Sequence, residues 1–274
     1  MQPAYDELEQ LKQRMRSTWM AGDFGQIAQY SAKAAEEFVG RLGIKPAAKV
    51  LDVACGTGNS AIPAARAGAN VTGIDIALNL LQQARQRAVT ERLEATFDEG
   101  DAERLPYSDG QFDVVMTMFG AMFAPRPELV AAELVRVCRF GGTIAMANWT
   151  PDGFVGKTFA TGARFVPPPD GIPSPLLWGD EGIVKKRLAR GTSEIRATRR
   201  KVGMEFPFAP GEVVQFFRQY FGPTHVAFSK LEPQKQTEYA AELEKLWHEN
   251  NEATGNRTQV HVEYLEVTAT RAQI

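Results

Sequence analysis

The chain has 274 residues, 44% of them hydrophobic, and its 31 basic and 33 acidic side chains give a formal charge of −2. That length can bury one large core, or one core with an appended lobe, and the charge balance argues against a general nucleic-acid binder, which is usually strongly basic. Cys55 and Cys138 sit far apart in apolar segments, which leaves one disulfide open but offers no staple framework and no zinc spacing. The N-terminal residues are acidic and lack the apolar stretch of a signal peptide, and no apolar run approaches membrane-spanning length. A reducing, cytoplasmic setting is the expectation.

Charged and apolar positions alternate at helical spacing over 5–41, with a break at Gly22-Asp23, and predict two helices joined across Trp19–Phe24. Lys45-Pro46 then leads into a strand at 49–54, a helix at 59–67, a strand at 70–76 that ends around Asp75, and a helix at 78–89. Strands follow at 95–99 and 112–118, then a helix at 127–139 with Leu129, Val130, Leu134, Val137 and Cys138 on one face. Gly141-Gly142 turns the chain into a fifth strand, 143–149. Strands separated by helices imply an α/β fold, a parallel sheet with helices on both faces.

The alternation stops near Trp149. Pro167 to Pro175 is a stiff loop, since each proline fixes its own φ, and the apolar sequel Leu176-Leu177-Trp178 fits either a surface connection or a cap wall. Further on, the pattern predicts helices at 180–190, 210–221 and 232–250, an irregular strand at 195–206, and a last strand at 259–270 returning to the sheet edge.

The stretch Val50-Leu51-Asp52-Val53-Ala54-Cys55-Gly56-Thr57-Gly58 carries the most chemistry. A buried strand runs into a turn whose glycines allow positive φ and close ligand approach, and an alanine-rich helix follows. Gly56-x-Gly58-x-x-Ala61 also fits a dinucleotide fingerprint, a weak signal taken alone. Asp52 decides against it, because a carboxylate four residues before the first glycine repels a pyrophosphate and attracts an ammonium. S-adenosylmethionine, which carries an ammonium, a sulfonium and an adenosine but no phosphate, suits this site better than NAD.

Five stretches then fall in order: Val50–Gly58, Val71–Ile76, Gly100–Pro106, Phe112–Val115 and Arg139–Gly142. Together they resemble the class I S-adenosylmethionine-dependent methyltransferases, in particular the ubiquinone/menaquinone biosynthesis branch (methyltransferase type 11-like). The flanking Trp19–Phe24, Ala147–Phe154 and Leu177-Trp178-Gly179 resemble one bacterial subgroup, so the likeness spans nearly the whole chain. It implies a doubly wound, mostly parallel seven-stranded sheet of Rossmann-like type, a helical N-terminal lead-in and a cap inserted after strand five. The domains expected are a helical lid at 1–44, a cofactor-binding core at 45–150, a substrate-side region at 151–257 and an edge strand at 258–274.

The resemblance also implies the donor site, with S-adenosyl-L-methionine as cofactor and S-adenosyl-L-homocysteine as product. Asp52, Ala54, Gly56, Thr57 and Gly58 would border the methionine part, and both oxygens of Asp75 would accept from the ribose hydroxyls. Ile76 and Leu80 would pack on the adenine, Asp101 and the Ala102 amide would meet its polar edge, and Phe119 would lie near the sulfonium. Phe140 departs from the proline usual before the double glycine. Asp75 as a strand-end cap and Asp101 as a turn residue are the duller alternatives, while Asp113 and Cys55 read as structural.

On the acceptor side, Trp19, Phe123, Trp149 and Trp178 are pocket candidates, together with Phe119. No catalytic residue emerges, since His225, His248 and His261 have no spacing that announces catalysis, and no metal site is expected. A small-molecule acceptor is the leading expectation, with nucleic acid disfavoured and the oligomeric state open. The basic run from Lys185 to Lys201 motivates a rival, an RNA or protein methyltransferase. A regulatory protein that holds the cofactor without catalysis is a second rival, and a dehydrogenase ranks behind both.

Overall fold

The computed structural model describes residues 5–273. Residues 1–4 and 274 of the expected lid and edge strand lie outside that range. A seven-stranded sheet has the order β3-β2-β1-β4-β5-β7-β6. Its strands are β1 (Lys49–Val53), β2 (Asn70–Asp75), β3 (Ala95–Glu99), β4 (Phe112–Met118), β5 (Cys138–Trp149), β6 (Thr192–Phe206) and β7 (Thr258–Arg271). The first five pair in parallel, and β7 runs antiparallel to β5, with Thr143 opposite Thr270 and Trp149 opposite Tyr264. The doubly wound, mostly parallel sheet is therefore as expected.

The chain forms two compact units. One comprises Ala32–Thr150, Pro173–Arg200 and the residues from Tyr264 on. The central strands β1 and β4 and the second half of β5 are buried on both faces, so Val50, Leu51, Val53, Val115, Met116, Ile144, Ala145 and Met146 form a nearly continuous apolar core. Helices α3 (Ala32–Arg41), α4 (Ala61–Arg66), α5 (Leu78–Glu91), α6 (Pro127–Val137) and α8 (Glu181–Leu188) belong to this unit.

The other unit comprises the residues up to Ser31, Pro151–Ile172 and Lys201–Glu263. It holds α1 (Tyr5–Met20), α2 (Phe24–Ala28), α7 (Phe154–Phe165), α9 (Pro210–Tyr220), α10 (Gly222–Ser229) and α11 (Pro233–Glu249). Its core is aromatic. Phe206 meets Phe217 and Trp247 with ring centroids 6.0 and 5.5 Å apart, and Phe154 meets Trp247 at 4.6 Å. Both units are discontinuous in sequence, and α3 and 173–200 fall with the sheet unit.

Three elements depart from expectation. Helix α7 lies in a stretch to which the sequence assigns no element, because Gly156, Gly162, Thr158 and Thr161 weaken the local helical signal, while Phe154 and Phe165 dock on α11. Between the helices expected at 210–221 and 232–250 the chain forms a further helix, α10, with proline in its first turn. Strand β5 begins at Cys138 and passes Gly141-Gly142 as an irregularity, where its register against β4 shifts.

The strand order reverses between β1 and β4, which is where ligands bind in open α/β sheets, beyond the carboxyl ends of the strands. At that point the backbone is strained on both sides. Ala54 after β1 has φ +56° and Phe119 after β4 has φ +59°, neither being glycine. Gly120 lets the two ends approach, since a Cβ there would stand 2.3 Å from the Ala54 carbonyl oxygen. Gly120→Ala is expected to cost on the order of 1–3 kcal/mol. A lower urea midpoint at unchanged m-value checks this, and an unchanged midpoint would refute the close packing.

Candidate functional site

The turn after β1 is held by a carboxylate from β2. Asp75 Oδ2 accepts from the Gly56 N–H and Oδ1 from the Ala77 N–H, each at 2.8 Å. One side chain thus ties the glycine turn to the start of α5, while Gly56 and Gly58 take positive φ of +52° and +81°. Burial raises the Asp75 pKa, and these amide bonds oppose the rise. Each oxygen keeps a second lone pair, so the expected ribose role is compatible with this bracing role, which the sequence did not reveal.

Asp52 differs. It is 1% exposed, it accepts from the backbone N–H of Ala61, and its Oδ2 has no hydrogen-bond partner among the described residues. Burial pushes its pKa up to about 8 from an ordinary 3.8, and the charge of Asp75 adds to the rise. Thr57 Oγ1 in the same turn is also buried without a partner. Two unsatisfied polar atoms beside a glycine turn are costly unless something completes them. A donor carrying an ammonium fits Asp52, so these residues suit S-adenosylmethionine.

Toward β3, Asp101 Oδ1 accepts from the Glu103 N–H at 2.9 Å, and Asp101 and Ala102 are half-buried. Glu103 then accepts from the Arg126 N–H at 2.6 Å and from Arg126 Nε at 2.8 Å. This clamp joins the loop after β3 to the start of α6. Sequence reasoning missed it, because Arg126 is remote in the chain and only its place before Pro127 hints at a cap. Leu80 is buried, and Ile76 is half-buried.

At the ends of β4 and β5 the rings of Phe119 and Trp149 are stacked, with centroids 3.6 Å apart and planes 8° from parallel. Tyr264 of β7 packs edge-on against both, at 5.5 and 6.5 Å. Its hydroxyl accepts from Arg41 Nη2 at 2.9 Å, and Arg41 and Arg200 both donate to Glu266. Tyr264 and this charge network were not identified from sequence; the tail's alternation placed Tyr264 on a strand but gave no sign of its neighbours. Phe123 lies half-buried in the 3₁₀ turn Ala121–Phe123. Trp178 is 1% exposed in the 3₁₀ turn Pro175–Gly179, with the Arg187 guanidinium 4.6 Å from its ring centre. Trp19 belongs to the other unit, where it packs on Phe24 and Phe221, each at 5.9 Å.

Other candidates resolve into ordinary roles. Asp113 accepts from the Lys49 N–H and from Arg139, which lowers its pKa. Cys55 is a buried thiol whose pKa burial drives well up, so it is no nucleophile. His225 Nδ1 contacts the Arg218 carbonyl at 3.2 Å, and His261 Nδ1 lies 2.9 Å from Glu252. The basic run is mixed: Lys185 pairs with Glu181, the Arg187 side chain is buried and Arg200 pairs with Glu266, while Lys186, Arg190, Arg196, Arg199 and Lys201 are exposed. Among the described residues, no cluster of three or more histidine, cysteine or acidic side chains is placed to hold a metal, and no helix is long and apolar enough to cross a membrane.

A family model described as a methyltransferase domain matches residues 50–142, the segment that carries the glycine turn, Asp75 and the β4 end. An uncharacterized protein of Mycobacterium tuberculosis is 40% identical over 218 residues, covering 79% of this chain and 80% of the relative. The demethylmenaquinone methyltransferase of Renibacterium salmoninarum is 37% identical over 116 residues, 42% of this chain and 47% of that protein. Among solved structures, a Haemonchus contortus phosphoethanolamine N-methyltransferase in complex with phosphomonomethylethanolamine and S-adenosylhomocysteine superposes with a TM-score of 0.56. It is 18% identical, with 88% of this chain and 53% of that chain covered, a likeness of fold.

The raised pKa of Asp52 has a defined sign. Its contribution to the stability of the free protein is complete below the ordinary 3.8 and is lost as pH rises through about 8. An ammonium beside it favours the ionised form, so donor binding below about pH 8 expels a proton. Calorimetry of S-adenosylhomocysteine binding near neutral pH, in buffers of different ionisation enthalpy, is expected to show net proton release. Asp52→Asn is expected to abolish it; equal release from wild type and variant would contradict the assignment.

Proposed function

Since this chain belongs to the class I S-adenosylmethionine-dependent methyltransferases, we propose that its acceptor is a small molecule presented at the carboxyl ends of β4 and β5. One observation carries the reading: the partly exposed Phe119–Trp149 stack, backed by Tyr264, which offers an apolar, planar wall beside the strained turn of β4. RNA is less favoured, because the basic run is broken by two ion pairs and the buried Arg187 side chain, and its exposed members are divided between α8, the turn after it and β6.

In this reading Asp52 meets the ammonium of the donor and the Gly56–Gly58 turn lets the backbone pass beside its methionine part. Asp75 receives the ribose hydroxyls, Ile76 and Leu80 flank the adenine, and Asp101 with the Ala102 amide meets its polar edge. The Glu103–Arg126 clamp keeps that adenine loop in place. The donor, when bound, supplies a methyl group already activated by its sulfonium charge. What remains for the protein is alignment and exclusion of water, which the aromatic wall provides. Tyr264 does not serve as a base: burial raises its pKa above 10, so the phenol keeps its proton. The acceptor then reacts through a group that is already nucleophilic, or loses its proton to solvent. Two free, buried thiols suit a reducing cytoplasm.

Incubation of the protein with methyl-labelled S-adenosylmethionine and a fractionated cell extract tests the acceptor class. Label is expected in metabolites; label confined to RNA or protein would overturn the small-molecule reading. Once an acceptor is found, Trp149→Ala is expected to lower kcat/KM by roughly tenfold or more with S-adenosylhomocysteine affinity retained.

A further inference from the structure

Arg187 is a buried cation without an adequate partner. Its side chain is 7% exposed. Its Nε and Nη1 lack hydrogen-bond partners among the described residues, and so does the indole Nε1 of Trp178, whose ring lies 4.6 Å from the guanidinium. The facing acid is Glu128 in the first turn of α6, whose Oε1 stands 3.7 Å from Nε, beyond hydrogen-bond reach. That carboxylate is itself 75% exposed, so it is free to leave and compensates little. Desolvation lowers the Arg187 pKa, yet a guanidinium cannot discharge, and burying it uncompensated is costly. The ring face of Trp178 offsets part of that cost. The pair thus presents donors and positive charge with no acceptor to match.

Its place in the fold gives that surplus a purpose. Arg187 is on α8, which packs against α6 and the 3₁₀ turn carrying Trp178. That turn in turn lies on the end of β5, where a Cβ on Gly179 would stand 2.0 Å from the Trp149 carbonyl oxygen. All these elements belong to the sheet unit, and the turn carrying Trp178 packs against the backbone of Trp149, whose ring forms the aromatic wall assigned to the acceptor.

Building on that small-molecule reading, we propose that Arg187 recognises a carboxylate on the acceptor, which takes the place Glu128 holds in the free protein. The proximity of Glu128 shows that a carboxylate can approach this guanidinium. With Glu128 displaced, a monoanion balances the single guanidinium charge, whereas a phosphate dianion leaves the site with one net negative charge. The acceptor is accordingly an organic acid with an apolar, planar body, its carboxylate at Arg187 and its body on Phe119 and Trp149.

The test uses protein loaded with S-adenosylhomocysteine and three probes: benzoate, uncharged benzyl alcohol and inorganic phosphate, titrated by calorimetry at fixed ionic strength. Benzoate is expected to bind saturably and benzyl alcohol and phosphate much more weakly. Arg187→Met should weaken benzoate by roughly tenfold or more, and Glu128→Gln should tighten it about threefold, because a competing carboxylate is removed. Arg187→Met should melt no lower than wild type, since an apolar residue of similar length suits a buried site better than an unpaired charge. Benzoate binding no better than benzyl alcohol, or unchanged in Arg187→Met, or weakened in Glu128→Gln, would overturn the proposal, as would preference for phosphate. Should Arg187→Met fail to fold, the Glu128→Gln result decides. S-adenosylhomocysteine affinity, measured in parallel, should be the same in all three proteins. Its loss from wild type would strike the donor site itself, a failure distinct from that of the anion site.

Discussion

On the proposed donor side, two buried carboxylates do opposite things. Asp75 is satisfied internally, with both oxygens taking backbone amides at 2.8 Å, and so fixes the path of the glycine turn relative to β2 and α5. Asp52 is left with a bare oxygen in a dry setting. A buried acid with one oxygen satisfied and the other not holds its proton until a cation arrives. The first carboxylate builds the cradle, and the second gives it a preference of sign.

The sheet explains why these groups meet where they do. Because β1 is flanked by β2 on one side and β4 on the other, the chain ends of adjacent strands splay apart at the switch point. There the backbone takes the left-handed conformation at Ala54 and Phe119, at a cost of order 1–3 kcal/mol each. Such strain persists only where packing over-determines it. Gly120 supplies the close contact with Ala54, and the Phe119 ring is locked between Trp149 and Tyr264.

Much of the fold was legible because parallel strands buried on both faces leave an unmistakable apolar pattern. Strands at 95–99 and 112–118 match β3 and β4 to the residue, and the glycine turn announced itself. What stayed hidden depends on partners distant in sequence. Helix α7 is glycine- and threonine-rich, and its contacts with Tyr239 and Trp247 outweigh its weak propensity. The Glu103–Arg126 clamp, the Arg41–Tyr264 bond and the Arg187–Trp178 contact join segments that periodicity cannot pair. Asp75 reads from sequence as a ribose ligand or a strand-end cap, but nothing in a linear motif shows that a backbone amide 19 residues away needs its oxygen. The basic run illustrates the converse: a cluster in sequence is dispersed by a helix, a turn and a strand.

Donor recognition through Asp52 is the claim on which the functional account turns. It is measured most directly by comparing S-adenosylhomocysteine with 5′-methylthioadenosine, which shares the nucleoside but lacks the amino-acid ammonium, in wild type and Asp52→Asn. The account predicts that the wild-type preference for S-adenosylhomocysteine shrinks by about tenfold or more in the variant, while 5′-methylthioadenosine affinity barely moves. An identical preference in both proteins would show that Asp52 does not contact the ammonium, and would contradict the account.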